Sequence, residues 1–263
     1  MAWLCASAAG GQSPSDSARP SLFHASDAYW SIGALVGSVA LSRVDAHISR
    51  QLMDSSLHAN HPTLNSIANN FSKIQEGTLF FGNLALWGVG RLTHQRALAD
   101  IAFNAVETVA AGTVVSQAIR GPLGRSRPYI TNFSDPYDFH PFEGFTQKKY
   151  RAFPSIHTEA AFGVATVYTL ETKRRHPGAT WIVGPLAYAI AAGPALSRLY
   201  NGQHWSSDLF SGAFLGTFVG SKVERYNHDV NPDSRLRRFM LGASNLQVGA
   251  SRSGFSVEYS GSF

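Results

Sequence analysis

Ser197-Arg198-Leu199-Tyr200-Asn201-Gly202-Gln203-His204-Trp205-Ser206-Ser207-Asp208 sets a hydroxyl and a fixed cation a short loop upstream of a histidine, with a carboxylate four residues beyond it. If a helix opens at this histidine, Asp208 lies one turn on, on the same face as His204. A carboxylate there accepts the Nδ1 proton of the imidazole and leaves Nε2 free as a nucleophile. Ser197 and Arg198 bring a hydroxyl and a guanidinium to the same spot. Read alone, the His/Asp pair fits equally a helix-surface hydrogen bond or, with further ligands, a metal site.

Two upstream segments narrow the choice. Arg120-Gly-Pro-Leu-Gly-Arg125-Ser-Arg127-Pro128 carries three arginines, whose planar, permanently charged forks match phosphate oxygens in pairs. On its own such a stretch also reads as a solvated turn punctuated by Gly and Pro. Phe153-Pro154-Ser155-Ile156-His157 reads as a helix start with Ser155 as its cap, and the free N–H groups of a first turn bind anions. His157 stands beside that turn as a proton donor. A metal reading recruits His157, Glu159, His204 and Asp208, yet the neighbouring arginines repel a cation. The combination points to an anion site.

With these three segments in this order and at these intervals, the chain resembles the type-2 phosphatidic acid phosphatase superfamily, which also holds bacterial non-specific acid phosphatases and vanadium haloperoxidases. The matching residues are Arg120 with six residues before Arg127-Pro128, then Pro154-Ser155-Ile156-His157, then Ser197-Arg198 with five residues before His204 and three more before Asp208. The resemblance covers roughly residues 98–222. It implies an all-α, compact helical bundle and a metal-independent phosphatase working on a lipid phosphate or a small soluble ester. His204 is then the nucleophile that becomes a phosphohistidine, Asp208 its orienter, and His157 the acid for the leaving group and the base for water. Arg120, Arg127, Ser155, Ile156, Ser197 and Arg198 bind the phosphoryl oxygens. The resemblance implies no cofactor, although vanadate fits the same pocket and gives a haloperoxidase as the alternative. The family's first motif normally opens with lysine where this chain has Arg120, and its second normally has glycine where this chain has Ile156. If that position needs φ > 0 or close ligand approach, isoleucine serves poorly, and a catalytically weakened envelope protein is the other alternative.

The remaining sequence sets the frame. With 263 residues and one cysteine, a disulfide framework is excluded. A net charge of +5 suits phosphate-bearing or anionic-membrane partners, and no nucleic-acid motif is present. Helical patterning covers Asp27–Ser42, Ile48–Met53, Pro62–Asn70, Gly77–Leu92, His94–Arg120, Ser155–Arg174, Thr180–Leu196 and Ser206–Tyr226. The Tyr129–Arg151 insert, rich in Asp, Phe and Lys, is expected on the pocket rim. Alternation around Ser251–Gly254 predicts a short C-terminal β-hairpin. Three regions follow: residues 1–26 as a flexible segment or signal-peptide remnant, 27–240 as the helical domain and 241–263 as a hairpin extension. Spanning a bilayer takes about 20 mostly apolar residues. Only Thr180–Ser197 comes near, charges interrupt the other candidates, and mean hydropathy is −0.08. These features favour a compact bundle able to rest on a membrane over an integral membrane protein, in the periplasm or cell envelope of a bacterium.

Overall fold

The structure, a computed structural model, describes residues 20–232, 234 and 240 and the backbone of strands 245–251 and 254–260. Most of the expected N-terminal segment lies outside the described residues, as do the residues flanking the hairpin and its turn. Nine α-helices are described: α1 (Ala25–Ser42), α2 (Asp45–Leu52), α3 (Ser55–Asn60), α4 (Pro62–Phe71), α5 (Glu76–Leu92), α6 (Arg96–Leu123), α7 (Ile156–Arg175), α8 (Thr180–Tyr200) and α9 (Ser206–Arg225). Strands β1 (Asn245–Ser251) and β2 (Gly254–Ser260) pair antiparallel, with Val248 opposite Val257.

Helix α7 is the axis of the bundle, with α5, α6, α8 and α9 packed around it. Small residues permit this. A Cβ on Gly216 of α9 would stand 2.0 Å from the Glu159 carbonyl oxygen, and one on Gly220 would stand 2.7 Å from that of Gly163. The two backbones therefore touch, and side chains larger than hydrogen are excluded along that seam. Helix α5 turns through Thr93–Gln95 into α6, α1 leans on α9, and α4 leans on α8.

The distribution of polarity is inverted relative to a protein folded in water. Central α7 buries His157, Thr158, Glu159, Thr166 and Glu171. At the end of the bundle away from residues 197–208, Glu171 bonds Asn104 and His228, and Arg175 bridges Glu171 and Asp100. Outer faces are apolar. Trp181, Ile182, Leu186, Ile190 and Leu196 of α8 are exposed, Trp181 by 74%. So are Tyr29, Trp30, Ile32, Leu35, Val36 and Val39 of α1, and Phe81, Leu86, Val89 and Leu92 of α5. Two helical stretches, Arg96–Leu123 and Pro177–Tyr200, are long and apolar enough to cross a membrane, and only 22% of the apolar window of the second is buried. An aqueous monomer rarely leaves such a continuous apolar surface uncovered.

Candidate functional site

One end of the bundle gathers the C-terminal ends of α1, α6 and α8 with the N-terminal ends of α5, α7 and α9. The sequence between α6 and α7, residues 124–155, folds over this end as three short turns of 3-10 helix. Its middle is pinned to the bundle where the Phe145 ring lies against Gly121, so a Cβ there would stand 2.3 Å from the ring. Tyr129, Tyr137, Phe139, Phe142 and Phe145 remain exposed on this rim.

His204 sits in the loop between α8 and α9 and is 1% exposed. Its Nδ1 is 2.8 Å from the carbonyl oxygen of Ala152, a backbone acceptor that fixes the tautomer with the proton on Nδ1. Nε2 is buried and has no protein partner among the described residues. Burial, reinforced by the charges of Arg127, Arg198 and His157, holds this imidazole well below the usual histidine range. His204 is thus neutral at pH 7, with a lone pair on Nε2. That is the state a nucleophile requires.

Asp208 departs from the expected geometry. Its Oδ2 is 3.6 Å from His204 Nδ1, beyond hydrogen-bond length, and Ala152 takes the place assigned to it. The reason is local. Asp208 is the third residue of α9, and its Oδ2 accepts the Trp205 N–H at 2.8 Å in a capping arrangement. Its Oδ1 accepts from Arg125, which also bonds Asp45 and Ser207. Asp208 therefore holds the loop that carries His204, while Ala152 holds the ring.

The three arginines of the first motif divide by role. Arg125 is 3% exposed, donates to Asp45, Asp208, Ser207 and the Pro136 carbonyl, and lies over the Trp205 ring. It clamps α2 to α9, and four of its five N–H donors are engaged there. Arg120 donates Nε to Gln117 at 2.9 Å, and Arg127 donates to the Lys148 carbonyl and to Gln203, so each is held by one edge. Arg198 keeps an unpartnered, buried Nε. The charges of Arg120, Arg127 and Arg198 all act on His157, whose ring centroid is 6.5 Å from that of His204. Three guanidinium groups and two imidazoles thus lie close enough for their charges to act on one another.

The other predicted residues are in place, with two differences. Ile156 opens α7 and is not among the residues with positive φ, so the glycine usual there is not needed for its backbone conformation. Ser155 occupies the cap position without making a side-chain cap bond. Its N–H instead donates to the Asp208 carbonyl and its Oγ accepts from Thr158. Ser197, expected on the phosphate, donates its hydroxyl to the Pro194 carbonyl of its own helix at 2.8 Å. Sequence reading missed Asp45, the Ala152 carbonyl and Glu76, which stands 3.5 Å from His157 Nε2. None carries a local motif, and only the fold brings them here.

A cation is poorly served at this end. Among the described residues, the group able to converge on a metal is Asp100, Glu171 and His228, whose ligand atoms lie within 4.8 Å of one another at the opposite end. There the Arg175 guanidinium already bridges the two carboxylates.

A family model described as the PAP2 superfamily matches residues 101–230. A stretch of 69 residues is 39% identical to a lipid A 1-phosphatase of Porphyromonas gingivalis, which is 26% of this chain and 15% of that protein. The chain thus spans about a seventh of that relative's length. The fold matches the crystal structure of a transmembrane PAP2-type phosphatidylglycerolphosphate phosphatase from Bacillus subtilis with a TM-score of 0.52 at 18% identity. That match covers 80% of this chain and 100% of the other. By its motifs, its fold and this match across both histidines, the chain belongs to the PAP2 superfamily.

Proposed function

We propose that this protein is a phosphatase that hydrolyses phosphate monoesters of membrane lipids through a phosphohistidine on His204. The observation that carries the reading is the neutral, buried His204, whose Nε2 has no protein partner while Nδ1 is fixed on Ala152 in a pocket of three arginines. Nε2 attacks phosphorus in line, the ester P–O bond breaks, and the leaving oxygen takes a proton from His157. Arg120, Arg127 and Arg198 take up the charge on the phosphoryl oxygens as it redistributes. His157, now neutral, removes a proton from water, which displaces His204 and releases inorganic phosphate. In this reading the guanidinium groups do what a divalent ion does in other phosphatases, so EDTA leaves turnover unchanged.

A lipid substrate follows from the surface. Helices α1, α5 and α8 face outward with aromatic and aliphatic side chains, the arrangement of a bundle embedded in a bilayer. The exposed aromatic residues of the 129–145 rim lie at the site end, where aromatic rings settle at the lipid–water boundary. The site then opens at one face of the membrane of a bacterial cell envelope, level with lipid headgroups. Both similar proteins are phosphatases whose names carry a lipid-borne phosphate.

The full chain in detergent micelles, assayed under EDTA against phosphatidate, a polyprenyl pyrophosphate and soluble esters, tests this. Wild type is expected to release phosphate from phosphatidate faster than from soluble esters. His204→Ala lowers turnover by at least about a thousandfold with helical content retained. Unchanged turnover in His204→Ala overturns the mechanism, and preference for soluble esters overturns the lipid assignment.

A further inference from the structure

The site contains a carboxylate that neither the motifs nor the family match accounts for. Glu76 is the first residue of α5 and lies outside residues 101–230. Its Oε2 is buried, has no hydrogen-bond partner among the described residues, and stands 3.5 Å from Nε2 of His157. His157 Nδ1 is also buried without a partner.

The charges around His157 make this placement consequential. Burial first, and then the charges of Arg198 of α8, Arg127 of the loop after α6 and Arg120 of α6, hold this imidazole below the usual histidine range. His204, across the pocket, is neutral. Glu159, on α7 itself, turns away to Gly112 of α6, where a Cβ would nearly overlap its Oε1. Glu76 alone among the groups acting on His157 favours a proton on it. An acid for the leaving group must hold a proton when substrate arrives, in a pocket built of positive charge. We propose that Glu76 is the positioning residue for His157: its carboxylate faces Nε2 at 3.5 Å and favours the imidazolium against the surrounding guanidinium groups once a phosphate is bound, so that Nδ1 delivers the proton to the leaving oxygen. The Nδ1–H proton passes to the alkoxide as the P–O bond breaks, and His157 is left neutral with its Nε2–H facing the Glu76 carboxylate.

This inference rests on the phosphatase reading above, and the experiment separates the two. Glu76→Gln, Glu76→Asp and wild type, each as the full chain in micelles, are compared on p-nitrophenyl phosphate, whose leaving group departs unaided, and on an alkyl phosphate, whose leaving group needs the proton. Glu76→Gln is expected to lose at least about tenfold more turnover on the alkyl than on the aryl ester, the signature of a weakened general acid. The alkaline limb of its alkyl-ester pH profile moves to lower pH, and Glu76→Asp recovers part of the loss. Equal losses on both esters, or none, overturn the role of Glu76 while leaving the phosphatase reading standing. No turnover of either ester by wild type removes both.

Discussion

Helices α7 and α8 are close in length and opposite in placement. Helix α7, 20 residues, is packed on by four neighbours and buries two histidine-motif residues and two glutamates. Helix α8, 21 residues with no acidic residue, turns five large apolar side chains outward. In water the reverse arrangement is favoured, because apolar area is what burial stabilises. The comparison teaches that this bundle exposes apolar side chains on its outer helices while polar groups find partners in its interior, a pattern that suggests association with a membrane. Among the described residues, Asn104, Glu171 and His228 satisfy one another, as do Arg174, Glu224 and Asp229. At the end that carries residues 197–208, His204 Nε2, His157 Nδ1 and Arg198 Nε are buried without a hydrogen-bond partner among the described residues.

The seam between α7 and α9 is the first place to break this contrast. Gly216→Ala inserts a methyl 2.0 Å from the Glu159 carbonyl oxygen, and backbone cannot yield as a side-chain end does. Overpacking costs about 1–3 kcal/mol or more, and here the upper end is expected, read as loss of thermal stability in micelles. A stability equal to wild type would mean that the helices do not touch there. The outer face of α8 gives an effect of similar size with a sharper readout. Ile190, 56% exposed, becomes charged in Ile190→Lys. If α8 faces lipid, the lysine costs about 2.5–3.5 kcal/mol near the bilayer centre, and the membrane-fraction yield of folded protein falls. If it faces water, an exposed substitution stays within about 0.5 kcal/mol, and an unchanged yield would end the embedding argument.

Much of the fold was legible in the sequence. The helices from Pro62, Thr180 and Ser206 begin where patterning placed them, and the others fall within a few residues. Helix α3, Ser55–Asn60, escaped notice because six residues hold less than two turns and give no period to read. The three motif segments met at one end as their chemistry demands. What sequence concealed was which arginine faces where: Arg125 looks like Arg120 and Arg127 until Asp45 and Asp208 are seen around it. The Ala152 carbonyl was illegible for a different reason, since every residue has one and only tertiary structure selects it. Mean hydropathy says little about such a bundle, because averaging along a helix cancels an apolar outer stripe against a polar inner one. Mean hydropathy of −0.08 therefore sits beside an outer surface lined with tryptophan, leucine and isoleucine.

The claim on which the rest depends is that His204 becomes covalently phosphorylated. Rapid acid-free quenching of the full chain during turnover of a radiolabelled phosphate ester, followed by peptide mapping, examines it directly. The account predicts an acid-labile, alkali-stable phosphoryl group on the peptide carrying His204, absent from His204→Ala. Steady turnover with no such adduct, or label on a different residue, would contradict it.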